Sequence, residues 1–420
     1  MQSMKTVSIN NRLSGYMIKS DKFKTDLIGV YIKRQLNKEE ASLNALLSRI
    51  LIRATKTYQT TKSLNTYLES CYGMILVSDV VKYGDHHILQ VKLQFPDPKH
   101  ILDKDIFDNA IDLVKEILFN PLIENGGFKQ SYFEQEKAHL IDEIEGRIND
   151  KMSYSLERCI EYMYEGENYA NYVYGDVEGI EKITNEDLYL HYKKIIDSSK
   201  VDISIMGDID YDVVESKLRS LPIEAGPVVV SLNDRHKTDD LKVIHEELNV
   251  KQGKLVLGYN TPYSFSHPLY EASILAFHIL GGGPNSKLFK LLREEHGLCY
   301  YVYTKSDKFK GNVFVGAGIE SENYDHVVAL IGSCLENLTI TADDLIHAKD
   351  AMIASVRSIL DFPNSFINFF YTEMLDRDLS KKFSLDDMVD RFEDVDLEDV
   401  MSIYKQMTLD TIYFINGGSQ

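Results

Sequence analysis

Leu280-Gly281-Gly282-Gly283-Pro284-Asn285-Ser286-Lys287-Leu288-Phe289, followed closely by Leu292-Arg293-Glu294-Glu295-His296-Gly297-Leu298-Cys299-Tyr300, is the stretch that decides the reading of this chain. An apolar helical run ends in three glycines. Pro284 then breaks the helix trend, so a loop is expected there. A short helix resumes at Ser286 and closes at Gly297, in the left-handed position that glycine fills at low cost. A strand-like run, Leu298-Cys299-Tyr300-Tyr301-Val302, follows.

The end of this stretch has a counterpart upstream. Leu68-Glu69-Ser70-Cys71-Tyr72-Gly73 leads into Met74-Ile75-Leu76-Val77 just as Leu292–Gly297 leads into 298–302. Two further matches come in the same order. Glu136-Lys137-Ala138-His139-Leu140-Ile141 corresponds to Ala348-Lys349-Asp350-Ala351-Met352-Ile353. Glu186-Asp187-Leu188 through Tyr192 corresponds to Glu398-Asp399-Val400 through Tyr404, each followed by an apolar strand that ends at a glycine, Gly207 or Gly417. Ordered matches of this kind mark a unit copied once. The 420 residues accommodate two such units of about 200 residues each. Pro222, Gly226 and Pro227 place the seam, giving an N-terminal domain 1–222, a linker 223–233 and a C-terminal domain 234–420.

Within each half, runs of strands separated by helices point to an α+β fold: a mostly antiparallel sheet with helices packed on one face. The alternation of Leu89, Val91, Leu93 and Phe95 reads as a strand with one apolar face, and Val313, Val315 and Ala317 repeat it.

Composition narrows the function classes. The formal net charge is −19, which repels phosphates and anionic lipid, so neither nucleic acid nor membrane is an expected partner. The same charge suits basic or neutral peptides, or only keeps the protein in solution. No run of about 18 apolar residues exists, and Met1–Tyr16 lacks the apolar core of a signal peptide. A cytoplasmic location is expected. The cysteines Cys71, Cys159, Cys299 and Cys334 are widely spaced and form no metal-type pair, so reduced, structural thiols are expected.

A duplicated α+β unit bearing the 280–300 stretch resembles the insulinase, pitrilysin and mitochondrial processing peptidase superfamily. Supporting segments are Leu257-Gly258-Tyr259, Phe133-Glu134-Gln135-Glu136-Lys137 and Gly175-Asp176-Val177-Glu178-Gly179-Ile180. Peptide-cleaving members carry His-x-x-Glu-His on an early helix. Two histidines one turn apart bind zinc, and the glutamate activates the metal-bound water. The resemblance places that motif at Ala45-Leu46-Leu47-Ser48-Arg49, before Ile50-Leu51-Ile52-Arg53-Ala54-Thr55. Ala45, Ser48 and Arg49 replace the motif residues, and Glu136 matches the third ligand, with Glu143 further along the same helix. The first histidine of the chain is His86, beside His87, and adjacent residues on a strand face opposite ways. The chain is therefore expected to bind no metal and to have no catalytic residues of its own.

The resemblance also implies that Arg293 and Tyr300 support the substrate backbone and the tetrahedral intermediate, as a cation and a phenol suited to developing negative charge. The alternative is that Arg293 pairs with neighbouring glutamates while Tyr300 packs in the sheet. Gly281, Gly282 and Gly283 either touch substrate or only let two helices meet. Losing the zinc residues while keeping the Arg/Tyr pair matches the zinc-less bacterial subunits of the superfamily. The function so implied is that of a non-catalytic subunit of a heterodimeric zinc metallopeptidase. Such a subunit binds unfolded peptide beside a zinc-bearing insulinase-family partner, which alone carries the cofactor. A non-proteolytic structural or peptide-binding module is the alternative.

Overall fold

The computed structural model describes residues 3–228, 240–375 and 384–417, so the part of the expected linker at 229–233 lies outside the described residues. The strands of the first half are β1 (Ser3–Ser8), β2 (Leu13–Lys19), β3 (Thr25–Gln35), β4 (Ile75–Tyr83), β5 (His86–Pro96), the ribbon β6 (Ile123–Glu124) and β7 (Gly127–Phe128), and β8 (Lys200–Gly207). Six of them form a sheet in the order β1-β2-β8-β3-β5-β4, antiparallel except for the β2/β8 pair. The second half contributes β9 (Lys242–Leu248), β10 (Gly253–Asn260), β11 (Cys299–Asp307), β12 (Asn312–Ile319) and β13 (Thr408–Gly417). These form a sheet in the order β11-β12-β10-β13-β9, antiparallel except for β13/β9. The two sheets share the α+β plan expected from the repeat.

The matched segments take matching conformations. Gly73 and Gly297 both adopt left-handed φ, +73° and +63°, and hand the chain to β4 and β11. The second pair lies on the long helices Gln130–Gly146 and Ala342–Ile359, and the third on the helices Asn185–Ser198 and Leu397–Tyr404.

Among the described residues, 3–146, 171–228 and 359–375 pack as one compact unit, and 147–170, 240–358 and 384–417 as another. The contiguous ranges 1–222 and 234–420 do not contain this exchange. Its cause lies in the two faces of each sheet. In β3, Ile28, Val30 and Ile32 enter the main core of the first unit, with Leu46, Leu47 and Ile50 of the helix Lys38–Leu51. Tyr31 points the other way and stacks on Tyr371 of the helix Pro363–Met374, with ring centroids 3.7 Å apart and planes 8° from parallel. Lys92 of β5 reaches Asn368 of the same helix. In the second unit, Val256, Phe314, Tyr413 and Ile415 form a core with Cys159 and Met163 of the helix Lys151–Met163. Gly258 lets that helix pass closely, since a Cβ there would sit 3.0 Å from the Met163 sulfur. Covered on both faces, β12 is buried along its whole length.

The four cysteines carry free thiols, those of Cys71, Cys159 and Cys299 being buried. No described helix is long and apolar enough to cross a membrane.

A buried polar network fixes the helix Lys38–Leu51 in place. The Asn44 amide nitrogen donates to His87 Nδ1 at 2.9 Å, and its oxygen accepts from His191 Nε2 at 2.8 Å. His87 Nε2–H donates to the Val173 carbonyl at 2.8 Å. An amide nitrogen only donates and a carbonyl only accepts, so His87 is a neutral imidazole here. Burial pushes both imidazoles down from the ordinary 6.5 to about 4. Proton uptake therefore favours the unfolded chain. The stability tied to the neutral rings is complete above pH 6.5 and is lost as pH falls from there toward 4, on the order of 3 kcal/mol per ring at the acid limit. Urea unfolding at pH 7, 5.5 and 4.5 should give a steadily falling midpoint. Replacing His191 by Gln should flatten that slope, and an equal slope in wild type and variant would refute the assignment.

Candidate functional site

The helix Lys38–Leu51 opens with Asn37, whose side chain accepts from the Glu40 backbone N–H. Its buried face carries Ala41, Ala45 and Ser48, and the Ser48 hydroxyl donates to the Ala45 carbonyl at 2.8 Å. Ala45 and Ser48 thus belong to the core. Arg49, Ile52 and Arg53 instead line a cavity of about 460 Å³ together with Glu136 and Glu143 from the helix Gln130–Gly146. Of the four positions matched to the zinc motif, the fold brings Arg49 and Glu136 to one cavity and leaves Ala45 and Ser48 outside it.

Inside this cavity both guanidiniums are paired with glutamates, while a third carboxylate, Asp79, accepts from the Tyr174 hydroxyl at 3.3 Å. Arg49 Nη2 lies 2.6 Å from Glu143, and Arg53 Nη1 lies 2.6 Å from Glu136. Arg53 also donates to Gln135 at 2.9 Å and covers the Tyr132 ring at 4.8 Å, while Arg49 covers Tyr174 at 5.4 Å. Glu136 is only 6 % exposed, so its carboxylate depends on the guanidinium. These residues do not fit a zinc ion. Each of Glu136 and Glu143 is held by a permanently cationic guanidinium, which cannot ligate a metal, and the imidazole near them, His139, has its Nδ1 4.0 Å from Glu136. Among the described residues no group of three or more His, Cys, Asp or Glu is placed to hold one. Arg53 is the residue that sequence reasoning missed. Its signal was present in part: a second arginine four residues after Arg49, just past the helix end, and two glutamates seven apart on one face of the helix Gln130–Gly146.

The second unit builds its site at the end of the helix Tyr270–Gly281. Gly281 is required by a close approach, since a Cβ there would lie 2.6 Å from Thr304 Cγ2 and 2.9 Å from the Thr304 backbone nitrogen in β11. Gly283 has φ +151°, which L-side chains rarely adopt. The chain re-enters a helix at Lys287–Phe289 and widens into a π-helical turn at Lys290–Glu295, a distortion common at functional sites. Arg293 sits on that turn, with its guanidinium carbon 5.0 Å from the Phe289 ring and 5.5 Å from the Tyr300 ring. Tyr300 lies where the β11/β12 register shifts, between Cys299 and Tyr301, and it is 70 % exposed. A bulge of this kind re-aims a side chain out of the sheet. Arg293 forms no ion pair among the described residues. Arg293 and Tyr300 therefore stand together on the surface, and neither the glutamate pairing nor the sheet packing considered from sequence occurs. Gly281–Gly283 lie at the base of the same short helix.

A family model described as "Peptidase M16 inactive domain" matches residues 182–352. The chain is 30% identical over 412 residues, 96% of each chain, to the Bacillus subtilis protein described as "Probable inactive metalloprotease YmfF". It is 23% identical over 304 residues, 67% of this chain and 65% of the other, to the Helicobacter pylori "Non-peptidase homolog YmxG". Among solved structures, a conserved protein from Enterococcus faecalis superposes with a TM-score of 0.92 at 24% identity, covering 99% of each chain.

Replacing Arg53 by Ala should destabilise the chain by about 3 kcal/mol, because Glu136 is left buried without its cation. Pairing that change with Glu136→Gln should recover much of the loss. Urea unfolding of the two variants measures both effects, and a single variant as stable as wild type would mean that the pair contributes nothing.

Proposed function

Since the chain belongs to the peptidase M16 family, as one of its inactive homologues, we propose that it serves as the non-catalytic subunit of a heterodimeric zinc metallopeptidase. In this reading it binds unfolded peptide and lends Arg293 and Tyr300 to a zinc centre held by a partner of the same family. The observation that carries it is the contrast between the two halves. In the first, each guanidinium in the cavity is matched by a glutamate. In the second, an unpaired guanidinium and a phenol stand side by side on the surface.

The chemistry assigned to that pair follows from its donors. Arg293 offers several N–H groups in a fixed fork, and Tyr300 offers one O–H. Both can donate to a carbonyl oxygen that gains negative charge as the peptide bond is attacked, provided they are fixed in advance. The π-helical turn, the Phe289 ring and the bulge at Tyr300 limit how far either side chain can wander. The net charge of −19 favours a peptide over nucleic acid or anionic membrane, and a cytoplasmic setting is part of the same proposal.

The name of the Helicobacter pylori relative favours a second reading, a non-proteolytic structural or peptide-binding module of the same fold. A co-purified partner separates the two, since only the first reading requires that the partner carry His-x-x-Glu-His.

The purified chain should cleave no peptide and hold no stoichiometric zinc. Mixed with its zinc-bearing partner it should support cleavage. Arg293→Ala and Tyr300→Phe should each lower the kcat of the mixture about 10²-fold while leaving assembly intact on size exclusion. Unchanged rates in both variants, or cleavage by the isolated chain, would refute the proposal.

A further inference from the structure

The duplication yields a second cavity with different chemistry. In the second unit a space of about 360 Å³ lies between the glycine run and the long helix Ala342–Ile359. It occupies the same place in its repeat as the arginine-lined cavity does in the first, between the end of an early helix and the long helix. Its polar lining is not cancelled. The side chains of Lys290, His278 and His347 have no hydrogen-bond or ion-pair partner among the described residues. Ser286, only 4 % exposed, carries a hydroxyl with no partner among them. It stands at the start of a helix yet makes no capping hydrogen bond with its side chain. The one acid on the wall, Asp344, is already engaged. Lys287 Nζ lies 2.7 Å away, and the Thr341 backbone N–H donates to it at 2.8 Å. One lysine is therefore in excess. Lys290 supplies the excess positive charge, and burial lowers the His278 imidazole from its usual value.

Several partnerless donors converging on one concave space make a ligand pocket. All of them can donate and no free carboxylate faces them, so the missing component is an acceptor. The glycines shape the wall: a Cβ on Gly282 would lie 2.2 Å from His278 Nδ1 and force that ring aside. We propose that this cavity binds a small oxyanion, as a free phosphate or as the carboxylate of a peptide, with Ser286 and Lys290 donating to its oxygens. The site needs neither a partner subunit nor Arg293 and Tyr300, so it stands or falls apart from the function proposed above.

Calorimetric titration of the full chain tests it, with inorganic phosphate in one arm and N-acetylglycine, a peptide-like terminal carboxylate, in the other. N-acetylglycinamide is the uncharged control. Saturable binding of one equivalent of either anion, absent with the control, is expected. Ser286→Ala and Lys290→Gln should each weaken it about tenfold or more. Phosphate binding alone supports the site with phosphate as its ligand, and N-acetylglycine binding alone supports it with a peptide carboxylate. Thermal unfolding checks that the variants fold. Should Ser286→Ala fail to fold, Lys290→Gln at an exposed position decides. No saturable binding of either anion up to about 20 mM, or binding that the folded variants leave unchanged, overturns the proposal.

Discussion

A sheet has two faces, and both sheets of this chain have central strands buried on each of them. That constraint organises the rest of the molecule. One face is served by helices local to the repeat. The other is served by a helix from the opposite half of the sequence: Pro363–Met374 on the first sheet and Lys151–Met163 on the second. The two seats differ in character. The first includes polar groups, with Asp202 fully buried beside Lys33 at 2.7 Å and Lys92 bonded to Asn368. The second is built around Cys159, Met163 and aromatic rings, with its polar groups gathered at Glu246, which accepts from the Tyr154 and Tyr413 hydroxyls and lies 3.7 Å from Arg158. A buried charge is stable only beside its counter-charge, whereas a thioether or a ring needs only surface to cover.

The same rule explains the first cavity. The resemblance gives peptide-cleaving members a zinc ion on two histidines and one glutamate. Here the carboxylates Glu136 and Glu143 remain, and two guanidiniums supply an equal positive charge. The exchange keeps the buried Glu136 neutralised and puts guanidiniums, which have no lone pair for a metal, beside both glutamates. The inactive status of the homologue thus has a physical form in this chain: the cavity persists, and arginines are paired with its glutamates where a metal would need ligands. Among the described residues of the second half nothing comparable cancels Arg293, and a bulge and a π-helical turn present it to solvent beside Tyr300.

The amino-acid sequence by itself determined the duplication, the α+β class, the positions of the capping glycines and the loss of the zinc motif. Those are local signals: periodicity of 2 or 3.6, glycine where φ must be positive, and residue types that either have a lone pair for a metal or do not. Ala45 and Ser48 could be named as replaced, but not placed in the core, because which face of a helix meets the core depends on its partners. Only the tertiary structure decided that Arg53 closes the cavity on Glu136, that Tyr300 is turned outward, and that each half covers its sheet with a helix from the other. Such pairings join residues far apart in the chain, and they are fixed by burial and charge balance rather than by any pattern along it.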